Sequence, residues 1–596
     1  MTHGGDHVAM QLRAQGVTSL FALCGGHISP ILTGCRARGI EIVDVRDEAS
    51  AVFAADAVAR MTGTPGVAAV TAGPGVTNAL TALQNALLAQ SPLILLGGAS
   101  ATVLRGRGSL QDIDQLSVVR PHVKAAVSVG CVRDIQPALA RAFELALEGV
   151  PGPVFIELPL DLLYPEVTVR EWYGIKGGEQ AAGNVVRKAI GFYLTRHANA
   201  MFRDVVDEPW QGSDEGRRWW SQLSEQAYAL ATEHMSKANR ATLTLLASRM
   251  LRRSKMPVIL VGSQAVRSPE GVGELRKALE ILGAPVFLSG MARGLLGRNH
   301  PLQCRHARRN ALREADVVVL CGVPCDFRLD YGNHIGHKTK VIAVNLSPED
   351  LFRNRVPSLP VWGDPSAFLV ELAGRCPKGV GRSEWASTLQ QREAAREAEI
   401  DAKAKKKGAL VNPVKLMRAI DTCMSEDAVI VADGGDFVAT AAYILSPRGP
   451  LRWLDPGVFG TLGVGGGFAL GAATVYRGKE IWLIYGDGSS AYSLAEIDTF
   501  VRKGFSVIAV IGNDARWNQI ARDQVHLLDD DVGVVLRRTD YHRVAEGYGG
   551  VGLLLDTNAA IDEVLSEARA LAHQGKPVVI NAMLDGSDFR EGSLSV

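Results

Sequence analysis

The chain has 596 residues, 47% apolar and 21% charged, with 64 basic against 63 acidic side chains and a net charge of +1. That length exceeds one hydrophobic core and predicts about three or four domains. The balanced charge argues against nucleic acid or an anionic membrane surface as the main partner. Eight cysteines are scattered, and the closest pair, Cys321 and Cys325, has no second Cys/His pair nearby. Free packed thiols and a reducing, cytoplasmic compartment are expected. The opening residues, MTHGGDHVAM, hold no apolar signal-peptide core.

Residues 1–165 alternate apolar runs (SLFALCG, IEIVDV, VAAVTAG, LILLGG, PVFIELP) with helical patterns, which predicts a parallel α/β sheet. Inside this block, VDVRDEAS places Glu48 where a helix of small apolar residues begins. Taken alone, Glu48 reads as a charge favoured at a helix N-terminus. Residues 66–104 carry no charge, yet Gly73, Pro74, Gly75 and Asn78 punctuate them and rule against a membrane span.

An insert at 166–245 follows. There Val186, Ile190, Tyr193, Leu194, His197 and Met201 share one helical face. This face is expected to pack on its own protein; contact with a membrane or an acyl chain is the other reading. Residues 246–376 form a second α/β block with MPVILVGS, APVFLSG, ADVVVLCG and TKVIAVNLS. A charged linker helix at 377–407 reads as a solvated tether. A third α/β block spans 408–585, and 586–596 is a C-terminal tail or lid. Within the third block, the uncharged stretch 457–476 contains seven glycines, which suits a buried helix pressed against a ligand or another backbone.

The most informative segment is IYGDGSSAYSLAEIDTFVRKGFSVIAVIGND. One apolar strand ends in Gly486-Asp487-Gly488-Ser489, a helix follows, and a second strand ends in Asn513-Asp514. Ligands of parallel sheets sit at the carboxyl ends of strands. Two carboxylates at neighbouring ends suit Mg²⁺, the glycines admit a diphosphate, and the helix N-terminus favours its charge.

This segment resembles the metal- and diphosphate-binding motif of thiamine diphosphate (ThDP) enzymes. By that resemblance Asp487, Asp514 and the carbonyl of Arg516 hold the metal, with Asp514 standing where most relatives have Asn. GGHISP (25–30), RDEASAVFAADAVARMTG (46–63) and TAGPGVTNAL (71–80) resemble the pyrimidine-binding domain of the acetolactate synthase superfamily. GTLGVGGGFALGAA (460–473) resembles its diphosphate-binding domain. The resemblance covers almost the full chain and implies three parallel-sheet α/β domains, in the order pyrimidine, central, diphosphate.

It also implies residue roles. Glu48 hydrogen-bonds the aminopyrimidine ring nitrogen, a task that suits a carboxyl in a dry site. Gly460 offers its carbonyl to the 4′-amino group, and Leu462 bends the cofactor. Gly73, Pro74 and Asn78 line the pyrimidine pocket, while Gln111 reaches the reacting centre. Asp436 and Phe437 flank the diphosphate beside Gly486, Gly488 and Ser489. His27 either polarises a substrate oxygen or is structural.

GGHISP, AVTAGPG, GMARGLLGRNHPL, CDFRLDYG, DGGDFVATAA, PRGPLRWLDPG and DFREGS resemble the 2-hydroxyacyl-CoA lyase type 2 subgroup most closely. The implied reaction cleaves a 2-hydroxyacyl-CoA to formyl-CoA and an aldehyde, or condenses formyl-CoA with an aldehyde or ketone in reverse. Arg293, Arg305, Arg308 and Arg309 are candidates for the CoA phosphates, with a solvated basic face as the alternative. The N-terminal anchor of membrane-bound animal members is not found in the opening residues, so membrane contact is not expected. A homodimer or homotetramer is implied. Asp47 stands where the subgroup usually has His. An acetolactate-forming 2-oxoacid carboligase or decarboxylase is the alternative reading.

Overall fold

The structure, a computed structural model, describes residues 3–175, 185–210, 237–376 and 383–590. They fall into two compact units, Met1–Ala59 with Thr64–Ala231 and Arg60–Gly63 with Thr232–Val596.

The first unit is built on six parallel strands: β1 (Ser19–Ala22), β2 (Glu41–Asp44), β3 (Gly66–Val70), β4 (Leu93–Ala99), β5 (Ala125–Ser128) and β6 (Pro153–Pro159). Their order is β2-β1-β3-β4-β6-β5. β3, β4 and β6 are buried along their whole length, which explains their continuous apolar runs. Helix Glu48–Thr62 lies on this sheet, and its small residues allow a very close approach. A Cβ on Gly66 would stand 1.9 Å from the Ala55 carbonyl oxygen.

The second unit holds two further six-stranded parallel sheets. One contains β7 (Pro257–Val261), β8 (Val286–Leu288), β9 (Gln303–Cys304), β10 (Val317–Cys321), β11 (Lys340–Asn345) and β12 (Leu359–Trp362), ordered β12-β11-β10-β7-β8-β9. The other contains β13 (Val429–Asp433), β14 (Trp453–Leu454), β15 (Ile481–Gly486), β16 (Val507–Asn513), β17 (Val551–Leu555) and β18 (Val578–Met583), ordered β14-β13-β15-β16-β18-β17. In-register pairing sets Asp433 opposite Tyr485 and Gly486 opposite Gly512, so the ends of β13, β15 and β16 lie level. The glycine-rich stretch forms helix Val464–Val475, buried against β13 and β15. A Cβ on Gly465 would meet the Tyr485 ring at 2.5 Å. Among the described residues, no helix is long and apolar enough to cross a membrane.

Two expectations from sequence change here. Helix Val185–Met201 buries only its C-terminal end, through Ala198 and Met201, with His197 Nε2 2.6 Å from Thr102 Oγ1. Val186, Ile190 and Tyr193 of the expected packing face are exposed. Residues 211–236 of the insert and the last six residues of the tail lie outside the described residues.

The charged linker is also more than a tether. Helix Ser383–Ala404 buries Trp385, Leu389 and Ile400. Its Glu393 accepts from the His306 backbone N–H at 2.7 Å, and Glu397 bonds His306 Nε2 at 2.7 Å and the Arg418 guanidinium. The helix thereby ties the second sheet to the third. The tail begins docked: Phe589 is buried, and Lys403 and Lys406 pair with Asp588.

The hydrogen bond from His306, followed by that from Arg418, holds the Glu397 carboxyl at about 2, below its ordinary 4.5. A depressed folded-state value means that the ionised group stabilises the fold above the unfolded value and loses that effect as pH falls towards 2. Glu397→Gln should therefore lower the urea midpoint at neutral pH. The deficit should narrow as the titration is repeated at pH values falling below about 4.5; a constant deficit would contradict the ion-pair account.

Candidate active site

In the first unit the strand ends gather one group of residues. Asp47 is exposed, and its Oδ1 accepts from the Ala49 N–H at 2.7 Å, so it caps the helix start and points to solvent. Glu48, the next residue, is only 7% exposed. Its Oε2 accepts from Asn78 Nδ2 at 3.1 Å. Asn78 closes the short helix Pro74–Asn78, which starts from Gly73 at φ +62°. That left-handed geometry favours glycine. A Cβ on Gly75 would lie 3.5 Å from Glu48 Oε1 and 3.0 Å from Thr71 Cγ2.

His27 Nδ1 is 3.2 Å from Thr71 Oγ1, and burial lowers the imidazole pKa, which favours the neutral ring. Gln111, itself at φ +64°, abuts Gly73: a Cβ there would be 2.8 Å from the Gln111 carbonyl oxygen. Glu48 after β2, His27 after β1 and Gln111 after β4 thus gather around the Thr71–Asn78 segment that follows β3 and carries Gly73, Pro74 and Asn78.

In the second unit Asp487 follows β15 and Asp514 follows β16. Asp487 accepts from the N–H groups of Gly488 and Ala515, both at 2.7 Å. Asp514 accepts from Asn518 Nδ2 at 2.5 Å and from the Arg516 N–H at 3.2 Å. Burial pushes the Asp487 carboxyl up, and burial together with the charge of Asp487 pushes Asp514 up to about 7. Two desolvated carboxylates that resist ionising side by side are the donor set a divalent cation relieves. Among the described residues no third His, Cys, Asp or Glu joins them. A hard cation there would complete its shell with main-chain oxygen, such as the Arg516 carbonyl, and with ligand or water oxygen. These residues therefore fit Mg²⁺ carrying a diphosphate.

Around this pair the chain approaches closely. Ser489 Oγ donates to the Asp433 carbonyl at 2.6 Å. A Cβ on Gly488 would stand 2.4 Å from the Trp517 ring. Gly460 is exposed at φ +66°, and half-buried Leu462 follows it. Asp436 opens helix Asp436–Ile444 and pairs with Arg522. The Phe437 ring is buried against Gly512, so contact with a diphosphate would fall to its main chain.

Asp433 joins these residues without an expectation from the sequence. This fully buried carboxyl, raised to about 7 chiefly by burial, accepts from the N–H groups of Gly463 and Gly465 at 3.2 and 2.8 Å. It thereby anchors the segment that carries Gly460 and Leu462. The signal was present, since VADGG ends a strand as IYGDG does.

The central arginines are largely committed within the second unit. Arg293 donates to the Ala442 carbonyl and stacks over Trp453. Arg305 binds Ser446 and the carbonyls of Tyr443 and Leu445, and Arg308 binds the Arg328 carbonyl. Arg309 is exposed.

Paired strand-end carboxylates, a glycine-lined approach to them and a buried glutamate at a helix start define a ThDP-binding enzyme. The chain belongs to the thiamine pyrophosphate enzymes: the family's N-terminal TPP binding domain matches residues 2–118, its central domain 246–372 and its C-terminal TPP binding domain 433–582. Within that family it is 46% identical to a 2-hydroxyacyl-CoA lyase 2 of Danio rerio, over 100% of this chain and 93% of the relative. It is 45% identical to the Homo sapiens protein of the same name, over 100% and 92%. An acetolactate synthase large subunit of Mycobacterium tuberculosis is 32% identical over 98% and 96%.

Gly488→Ala drives a methyl into the Trp517 ring. It should lower stability by about 1–3 kcal/mol and weaken Mg²⁺-dependent ThDP binding, read by quenching of tryptophan fluorescence. Unchanged binding would show that the Trp517 contact does not shape the diphosphate loop.

Proposed function

We propose that this enzyme is a 2-hydroxyacyl-CoA lyase. It breaks the C1–C2 bond of a 2-hydroxyacyl-CoA, the hydroxyl-bearing carbon leaving as an aldehyde and the thioester carbon as formyl-CoA. In reverse it joins formyl-CoA to an aldehyde or ketone. The observation that carries the substrate reading is the full-length likeness to proteins of that name, at 45–46% identity against 32% for acetolactate synthases.

Bound ThDP supplies the carbon nucleophile and the electron sink for such chemistry. Glu48, buried and held by Asn78, would share a proton with the cofactor's aminopyrimidine ring nitrogen. The Gly460 carbonyl would accept from the 4′-amino group, and Leu462 would pack against the cofactor. Asp487, Asp514 and the Arg516 carbonyl hold Mg²⁺, with Gly486, Gly488, Ser489, Asp436 and Phe437 lining the diphosphate. Neutral His27 is suited to donate a hydrogen bond to a substrate oxygen, and Gln111 borders the reacting centre.

We further place the enzyme in the cytoplasm as a homodimer or homotetramer. All eight cysteines are free, which suits a reducing compartment. Leu110, at 81% exposure beside Gln111, supports association, as do exposed Leu527, Leu528 and Val532 beyond the metal loop.

The test supplies ThDP, Mg²⁺ and either a 2-hydroxyacyl-CoA or pyruvate. Formyl-CoA and aldehyde are expected from the first; acetolactate from the second, without acyl-CoA cleavage, would install the carboligase reading instead. Glu48→Gln should retain ThDP and lose on the order of 100-fold or more in turnover, and wild-type turnover in that variant would refute the role of Glu48.

A further inference from the structure

Gln115 is a buried polar side chain with no part in the roles above. It opens helix Gln115–Val119, capped by Asp114, and is 2% exposed. Its amide is used from both ends. Oε1 accepts from the Gly73 N–H at 2.8 Å, while Nε2 donates to the Gly98 carbonyl at 3.1 Å and to Glu157 Oε1 at 2.9 Å. Glu157 is itself buried, and Arg105 holds its other oxygen at 2.7 Å.

These partners lie at three strand ends. Gly73 follows β3, Gly98 is the penultimate residue of β4, and Glu157 is in the C-terminal half of β6. Gly73 starts the helix that ends at Asn78, and Asn78 bonds Glu48. A continuous chain of hydrogen bonds and one short helix therefore runs from Arg105 through Glu157, Gln115 and Gly73 to the Glu48 carboxyl. Only a group that both donates and accepts satisfies a main-chain N–H, a main-chain carbonyl and a carboxylate at one point. An apolar residue at 115 would take this partner from all three, leaving the Gly73 N–H without its side-chain acceptor and Glu157 with Arg105 alone.

We propose that Gln115 is the positioning residue for Glu48: it fixes the Gly73 turn, and hence Asn78, so that the Glu48 carboxyl meets the aminopyrimidine nitrogen in register. This rests on the assignment of Glu48 made above. A displacement of about 1 Å at a reacting pair costs on the order of 100-fold in rate. The loss should therefore fall on kcat, with KM little changed.

Three variants of the full-length holoenzyme test this, with thermal midpoint, ThDP affinity, kcat, KM and near-ultraviolet circular dichroism of bound ThDP as readouts. The dichroism separates the two aminopyrimidine tautomers and gives the pH of their interconversion. Gln115→Leu should bind ThDP, lose on the order of 100-fold in kcat and shift that pH. Gln115→Glu keeps the acceptor for Gly73 but faces Glu157 with a second carboxylate, so it should also fail. Gln115→Glu with Glu157→Gln removes the repulsion between the two carboxylates, leaves only the Gly98 carbonyl without its donor, and should recover part of kcat together with the wild-type tautomer titration.

A fall in thermal midpoint with kcat and the tautomer titration unchanged would overturn the proposal, because a merely structural amide gives that result. If Gln115→Leu does not fold, the double variant decides: no recovery overturns the proposal. Glu48→Gln runs alongside. Should it retain the wild-type tautomer titration, the assignment of Glu48 fails; should it lose the titration while the Gln115 variants keep theirs, only the positioning role fails.

Discussion

Every functional feature of this protein depends on parallel strand pairing. In a parallel sheet each crossover returns the chain to the same starting edge, so all carboxyl ends open on one side. Asp487 and Asp514 lie far apart in sequence, yet the pairing of β15 with β16 in register makes them neighbours. The same constraint sets Asp433 one strand further along. In the first unit it collects Gly73, Gly98 and Glu157 from three strands around one amide. These buried polar groups survive because each bonds the Gln115 side chain, which a following helix brings to the strand ends.

Much of this was legible in the sequence. The central strands read as uninterrupted apolar runs because both faces are buried, as in VAAVTAG and FSVIAVIGND. The strands that escaped notice, β5, β9, β12, β14 and β17, all lie at sheet edges. They are short or part-exposed, so no sustained apolar run marks them: β9 and β14 have two residues each. Glycine spacing exposed the loop after β15 for a similar reason, since close backbone approach permits almost nothing else there.

What stayed hidden depends on contacts distant in sequence. Glu393 and Glu397 look like surface charge until His306 and Arg418 are seen beside them. The arginines of the second sheet look like a phosphate site until their guanidinium groups are traced to carbonyls across the unit. Helix Val185–Met201 shows the converse: a good periodic pattern does not ensure a partner for the whole face. Asp47 stands between these cases. Its place before a helix was readable, but only the bond to Ala49 shows that its charge is spent on the cap.

The contact between Gly66 and the Ala55 carbonyl reaches beyond local packing. It removes any tolerance for sliding in the helix that begins at Glu48, because the backbone itself is the spacer. The first unit therefore separates two kinds of freedom. Side chains in the loops can change size by degrees, whereas the distance from sheet to helix at Gly66 is set by a missing side chain and has no graded intermediate. Substitutions at the rims and loops leave that spacing untouched, and the start of the helix at Glu48 keeps its place over the sheet.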